Sequence, residues 1–196
     1  FKYIGERIGQ LEAAGEADRY VFGFEESYGY LAGSYVRDKD AVYGAMAICD
    51  MASYYKSQGK TLIDVIDAIY RKYGYYVNTV ASFEFDGLAG MVQMKALMQQ
   101  LRTERPASLC GVAVTNFSDY LTSQSIDCAT GAVTEIHLPK SNVLSFTRAD
   151  GANVIIRPSG TEPKIKVYVA SVADSRAESE RVGAALLAEV RGMLGI

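Results

Sequence analysis

Residues 157–164, RPSGTEPK, set two hydroxyls and a glycine between two prolines, with an arginine just before the first, an apolar run ahead of them and an alternating one after. Phosphate oxygens need donors converging from several directions. A tight turn supplies backbone N–H groups, and hydroxyls and a cation supply the rest. Arg157 offers a forked, charge-assisted contact, Ser159 and Thr161 offer hydroxyls, and Gly160 lets the backbone approach without a Cβ. Pro158 and Pro163 stiffen the flanks, which reduces the entropy lost when a ligand orders the loop. Lys166 stands on the strand just beyond. The competing reading is a rigid solvent hairpin with incidental charges; the apolar flanks and the density of donors argue against it.

A second concentration of polar side chains runs from 22 to 40, FGFEESYGYLAGSYVRDKD. Glu25 and Ser27 could meet sugar hydroxyls, because a carboxylate accepts two of them and a serine both donates and accepts. Arg37 and Lys39 could add positive charge for a phosphate on the same ligand. Composition alone leaves the alternatives open: Glu25 and Glu26 also read as a solvated pair, and RDKD as a charge cluster at a helix start.

The remaining reactive residues narrow the chemistry. His137 is the single histidine, which excludes multi-histidine metal sites and leaves little room for a Ser-His or Cys-His pair; it reads as a half-exposed strand residue in VTEIHLP. Cys49, Cys110 and Cys128 are widely spaced and form no zinc pattern, so they read as reduced structural thiols. A net charge of −3 argues against broad adhesion to nucleic acid or anionic membrane. No apolar run reaches the roughly 18 to 20 residues of a membrane span, and the first residues lack a signal-peptide pattern, so the chain is expected to be cytoplasmic. It opens on FKYIGERIGQ without an initiator methionine, directly in front of an amphipathic pattern, and reads as a piece of a longer protein.

Elements must position these loops. Of the 196 residues, 49% are apolar, enough for one or two domains with a real core. Ile4, Ile8 and Leu11 predict an opening helix, and RYVFGF a buried strand. A helix is expected from about Asp40 to Ser57, with Val42, Ala45, Met46, Cys49 and Ala52 on one face. Thr61 with Asp64 caps a second helix that ends at Gly74, and the two helices are expected to pack together. YYVNTVASFEF reads as a strand leading into new territory, followed by a helix from about Leu88 to Thr103. Strands are expected at Gly111–Val114, Val133–Leu138, Val143–Thr147, Asn153–Arg157 and Ile165–Ser171. Ser175 with Glu178 then caps a last helix. The boundary falls near Asn78, giving residues 1–78 and 79–196. The second part is expected to be a sheet with helices on one side.

GFEESYGY followed by VRDKDAV, and RPSGTEPKIKVY about 120 residues on, resemble the C-terminal half of the α-D-phosphohexomutase superfamily, in particular bacterial phosphoglucomutase/phosphomannomutase enzymes. The resemblance covers nearly the whole chain, and two motifs in the right order make it specific. It implies a mixed α/β fold. The first part would be the latter portion of the family's α/β domain III with the sugar-recognition loop. The second would be an α+β domain IV, a TATA-box-binding-protein-like sheet with helices on one side that carries the phosphate-binding loop.

Residue by residue, the resemblance assigns Glu25 and Ser27 to sugar hydroxyls, with Gly23 and Gly29 beside them. It assigns Arg37 and Lys39 to the ligand, with Lys39 a candidate for assisting proton transfer, and Lys2 to a short segment facing the cleft. Arg157, Ser159, Gly160, Thr161 and Lys166 would bind phosphate. The implied whole enzyme interconverts hexose 1-phosphate and hexose 6-phosphate through a phosphoserine, with magnesium and with glucose 1,6-bisphosphate as intermediate. Neither a serine loop nor an aspartate-rich metal loop is found in these residues, so the chain is expected to bind phosphosugar without turning it over and to depend on N-terminal domains of the same protein. A phosphopentomutase and a non-catalytic phosphosugar-binding module are the alternatives.

Overall fold

Tyr20 donates its hydroxyl to the carbonyl of the fully buried Leu31 at 3.0 Å, tying the start of the first loop to its end. The computed structural model describes residues 1–25, 28–160 and 162–195. Two compact units divide the chain between Ala68 and Ile69.

In the first unit, helix α1 (Lys2–Ala13) buries Ile8 and Leu11, one turn apart on its inner face. A 3-10 turn at Ala17–Arg19 leads to strand β1 (Gly23–Phe24), which pairs antiparallel with β2 (Tyr30–Leu31). The buried strand expected over RYVFGF is not formed: only Gly23 and Phe24 pair, and Val21, Phe22 and Phe24 are 77%, 47% and 65% exposed. A strand is buried by neighbours on both sides and both faces, and β1 has a single two-residue partner.

Helix α2 (Ala41–Ser57) starts where the Asp40 carboxylate accepts from the N–H groups of Val42 and Tyr43. Its one buried residue is Gly44, which lies against the Tyr30 side chain on β2. The expected inner face is turned outward, with Val42, Met46 and Cys49 exposed. Helix α3 (Leu62–Tyr73) begins on the predicted reciprocal cap: Asp64 accepts from the Thr61 N–H at 2.7 Å and hydroxyl at 2.6 Å. No α3 residue is buried. The expected packing of α2 against α3 therefore does not cover either apolar face.

In the second unit, β3 (Tyr75–Glu84), α4 (Gly87–Thr103), β4 (Ser108–Leu109), β5 (Val112–Asp119), β6 (Gln124–Asp127), β7 (Val133–Glu135), β8 (Leu144–Arg148), β9 (Asn153–Pro158), β10 (Lys164–Ala173) and α5 (Arg176–Met193) follow in order. The strands form an antiparallel sheet in the order β3-β10-β9-β8-β5-β6-β7, with β4 beside β5. Alternation sends Ile165, Val167 and Val169 of β10, Val154 and Ile156 of β9, and Leu144 and Phe146 of β8 to one face. There they meet Met94, Met98 and Leu101 of α4 and Leu186 and Val190 of α5 in one core. The sheet with helices on one side is thus the observed architecture. At its rim, the half-sequestered Arg102 on α4 donates to the buried Asp119 on β5 at 3.0 Å.

Several local expectations differ. Asn78 lies mid-strand in β3, paired with Ala170, and the compact units divide ten residues earlier, within α3. His137 lies beyond the end of β7 with its side chain 83% exposed. The three cysteines are free, and all are exposed, so burial does not make them structural. Among the described residues no helix is long and apolar enough to cross a membrane.

Candidate functional site

The first loop is built around Gly29. A Cβ there would come within 2.7 Å of Glu25 Oε2, 2.9 Å of Lys39 Cδ and 3.4 Å of the Phe1 ring. The absent side chain is what allows the three to converge, and the hairpin bond from the Glu25 N–H to the Gly29 carbonyl, at 2.9 Å, holds the geometry. Lys39 Nζ lies 5.9 Å above the Phe1 ring and 3.1 Å from Asp38 Oδ1. Gly23 is wedged in the same way: a Cβ there would strike the Tyr20 hydroxyl at 2.7 Å and Ile4 at 2.8 Å.

Arg37 belongs to a different set of contacts. Its guanidinium pairs with Glu12 and donates to the Ser34 carbonyl at 2.7 Å. Lys2 turns over the Tyr3 ring, 5.5 Å from its centre. The structure therefore brings Glu25, Gly29 and Lys39 together and places Arg37 and Lys2 with other partners. Ser27 lies outside the described residues. Tyr28 holds a left-handed backbone (φ 66°), unfavourable for a bulky residue, and is 85% exposed.

Asp38 and Asp40 are separated by one residue, but both are committed. The Lys39 backbone N–H, and then its ammonium, lower the Asp38 carboxyl below its ordinary range. The Tyr35 hydroxyl, donating at 2.6 Å, and the α2 amides do the same for Asp40. Asp40 in return pushes the Tyr35 phenol up to about 12. Among the described residues no three His, Cys, Asp or Glu side chains gather as a metal would require.

The second loop joins β9 to β10. Its hairpin is closed by the Ser159 N–H donating to the Lys164 carbonyl at 2.7 Å, and the Ser159 hydroxyl accepts from the Glu162 N–H at 3.3 Å. The Ser159 amide is thus spent on the turn, while the Gly160 N–H makes no hydrogen bond among the described residues. Gly160 is exposed, and nothing lies within 4 Å of the place a Cβ would take. Thr161 lies outside the described residues.

The cations beneath this turn are divided. Lys164 Nζ is shared between Glu84 at 3.8 Å and Glu162 at 3.7 Å. Arg157 and Lys166 face each other in register across β9 and β10. Both are exposed, both border the same concavity as Ser159 and Gly160, and neither forms an ion pair among the described residues. Like charges set directly opposite one another destabilise a sheet by up to about 1 kcal/mol. Glu162 and Lys164, which border the concavity as well, pair with each other, so among the described residues Arg157 and Lys166 leave it with a net positive charge beside an open glycine amide.

Two family models match the chain. The model of the phosphoglucomutase/phosphomannomutase α/β/α domain III matches residues 1–73, and that of the C-terminal domain of the same proteins matches residues 98–187. A Staphylococcus aureus protein named phosphoglucomutase is 40% identical over 169 residues, covering 86% of this chain and 30% of its own length. The Staphylococcus epidermidis phosphoglucomutase is 37% identical over 174 residues, with 89% and 31% covered. The chain thus spans about 30% of the length of these relatives. In fold it is similar to the open form of parafusin, a phosphoglucomutase from Paramecium, with a TM-score of 0.64 and 16% identity over 97% of this chain and 32% of that one.

Proposed function

The chain belongs to the phosphoglucomutase/phosphomannomutase family, and on that premise we propose that it is the substrate-holding C-terminal portion of a phosphohexomutase. The observation that carries the reading is the Arg157–Lys166 couple beneath the Ser159–Gly160 turn, which has no counter-ion among the described residues. Its two positive charges match a phosphate dianion, and the guanidinium fork with the Gly160 amide supplies directed donors. The second loop would hold the phosphate that is not reacting. In the first loop, Glu25 would accept sugar hydroxyls together with Ser27, and Lys39 would contact the ligand and assist proton transfer. Gly23 and Gly29 set the backbone close enough for this. Arg37 and Lys2 would take part after exchanging their present contacts.

In the whole enzyme a phosphoserine would give its phosphoryl group to the free hydroxyl of a hexose monophosphate. The resulting bisphosphate would reorient, and the other phosphate would return to serine. Phosphoryl transfer depends largely on positioning and charge neutralisation, so these residues contribute by keeping sugar and distal phosphate in register in both orientations. Magnesium would neutralise charge at the transferring group. The residues described here do not gather a site for it, so its ligands, like the serine, would come from other domains of the protein. By itself the chain would bind glucose 1,6-bisphosphate and not turn it over.

Calorimetry of wild-type chain and Arg157→Ala with glucose 1,6-bisphosphate tests the reading. Binding that weakens by about 1.5–3 kcal/mol, as expected for loss of a charged hydrogen bond, supports it. Equal affinities remove the 157–164 loop from the site.

A further inference from the structure

The register of the sheet sets a third donor beside the two cations. Lys166 on β10 is opposite Arg157 on β9 and, on its other side, opposite Ser82 on β3. Residues in register emerge on the same face, with Cβ atoms about 5 Å apart between neighbouring strands. All three are exposed on the face away from the helices. One rung nearer the loop, Lys164 faces Glu84 and the charges offset each other. One rung farther away, Ile155, Tyr168 and Val80 carry no acidic or basic side chain. The rung between them holds a guanidinium, an ammonium and a hydroxyl, and no carboxylate. The Ser82 hydroxyl makes no hydrogen bond among the described residues.

We propose that Ser82 is a further phosphate-positioning residue, whose hydroxyl donates to an oxygen of the anion held by Arg157 and Lys166. This deepens the reading of the 157–164 loop and rests on it. The Lys166 ammonium attracts a dianion as a point charge and the Arg157 fork engages two of its oxygens, which leaves room for a donor to a further oxygen. A short hydroxyl on a paired strand has little rotamer freedom to lose and fixes one oxygen. Donors from β9, β10 and β3 then approach from three strands, an arrangement suited to a tetrahedral phosphate. A planar carboxylate would satisfy fewer of them.

The test titrates wild-type chain, Arg157→Ala, Ser82→Ala, Ser82→Thr and Ser82→Asp with inorganic phosphate and with glucose 1,6-bisphosphate, and records each variant's thermal midpoint. Ser82→Ala is expected to weaken both ligands about threefold to tenfold, the net range for one ordinary hydrogen bond at a solvated position. Ser82→Thr restores the affinity, and Ser82→Asp, which places a carboxylate against Lys166, weakens it further. Thermal midpoints stay within a degree or two of each other, because the position is exposed and the backbone pairing is kept. If Arg157→Ala loses affinity while Ser82→Ala and Ser82→Asp bind as wild type, the role of Ser82 is overturned and the loop assignment stands. If wild type and Arg157→Ala bind neither ligand differently, the loop assignment fails and this role fails with it. Loss in Ser82→Ala that threonine does not restore also overturns the proposal, since it would trace to something other than the hydroxyl.

Discussion

The two donor-rich loops carry similar side chains and treat their charges in opposite ways. In the first, Arg37 is engaged by Glu12 and Lys39 by Asp38. In the second, Lys164 is shared between two glutamates, while Arg157 and Lys166 face each other with no counter-ion among the described residues. The difference separates two kinds of recognition. A loop neutralised from within gains little from a bare anion and can take a ligand whose hydroxyls replace its own contacts. A loop with two spare positive charges gains from any dianion. The supports differ as well: the second loop joins strands whose inner residues lie in a closed core, whereas α2 and α3 leave most of their apolar residues exposed.

Phe146→Ala gives the largest effect. Phe146 is 1% exposed and tilted against Phe117 at 5.2 Å between ring centres, so its truncation should cost about 3–5 kcal/mol in urea unfolding of the second unit. Met46→Ala, at an exposed position on α2, should change stability by less than about 0.5 kcal/mol. Comparable losses in the two variants would erase the contrast in support.

The loops themselves come next. Arg157→Ala should lose about 1.5–3 kcal/mol of bisphosphate affinity, and Arg37→Ala should leave inorganic phosphate binding nearly unchanged. Glu25→Gln should weaken binding of the phosphosugar more than of bare phosphate; parallel isotherms for the two ligands would contradict its role. The smallest effect is on pH. Asp40 has its carboxyl lowered by the Tyr35 hydroxyl and the α2 amides, so its contribution is complete above the unfolded carboxyl pKa of about 4 and is lost as pH falls through the lower folded value. Amide exchange at Val42 and Tyr43 should rise in acid over that range, and Asp40→Ala should remove the dependence.

Much of the scaffold was legible because local rules and global packing agree. The Thr61/Asp64 and Ser175/Glu178 caps stand where their spacing put them, and β8, β9 and β10 follow their alternating residues. The RYVFGF stretch and the outer face of α2 misled, because an apolar pattern reports what a segment is able to bury and not what is there to cover it. Strand β6, QSID, carries too few apolar residues to announce itself and is defined by pairing with β5 and β7. At the site, residue types were readable and groupings were not. Nothing local shows that Gly29 gathers Glu25 and Lys39, or that Ser82 shares a rung with residues about 80 positions away. Such neighbours are set by register, which is a property of the assembled sheet.

The central claim is that the spare charge at Arg157 and Lys166, and not the paired charge at Arg37 and Lys39, receives phosphate. Backbone amide NMR of the chain titrated with inorganic phosphate tests it directly. Saturable shifts at Gly160, Arg157 and Lys166, with Arg37 and Lys39 unmoved, are the predicted result. Equal shifts in both loops, or none at Gly160 at millimolar phosphate, would contradict it.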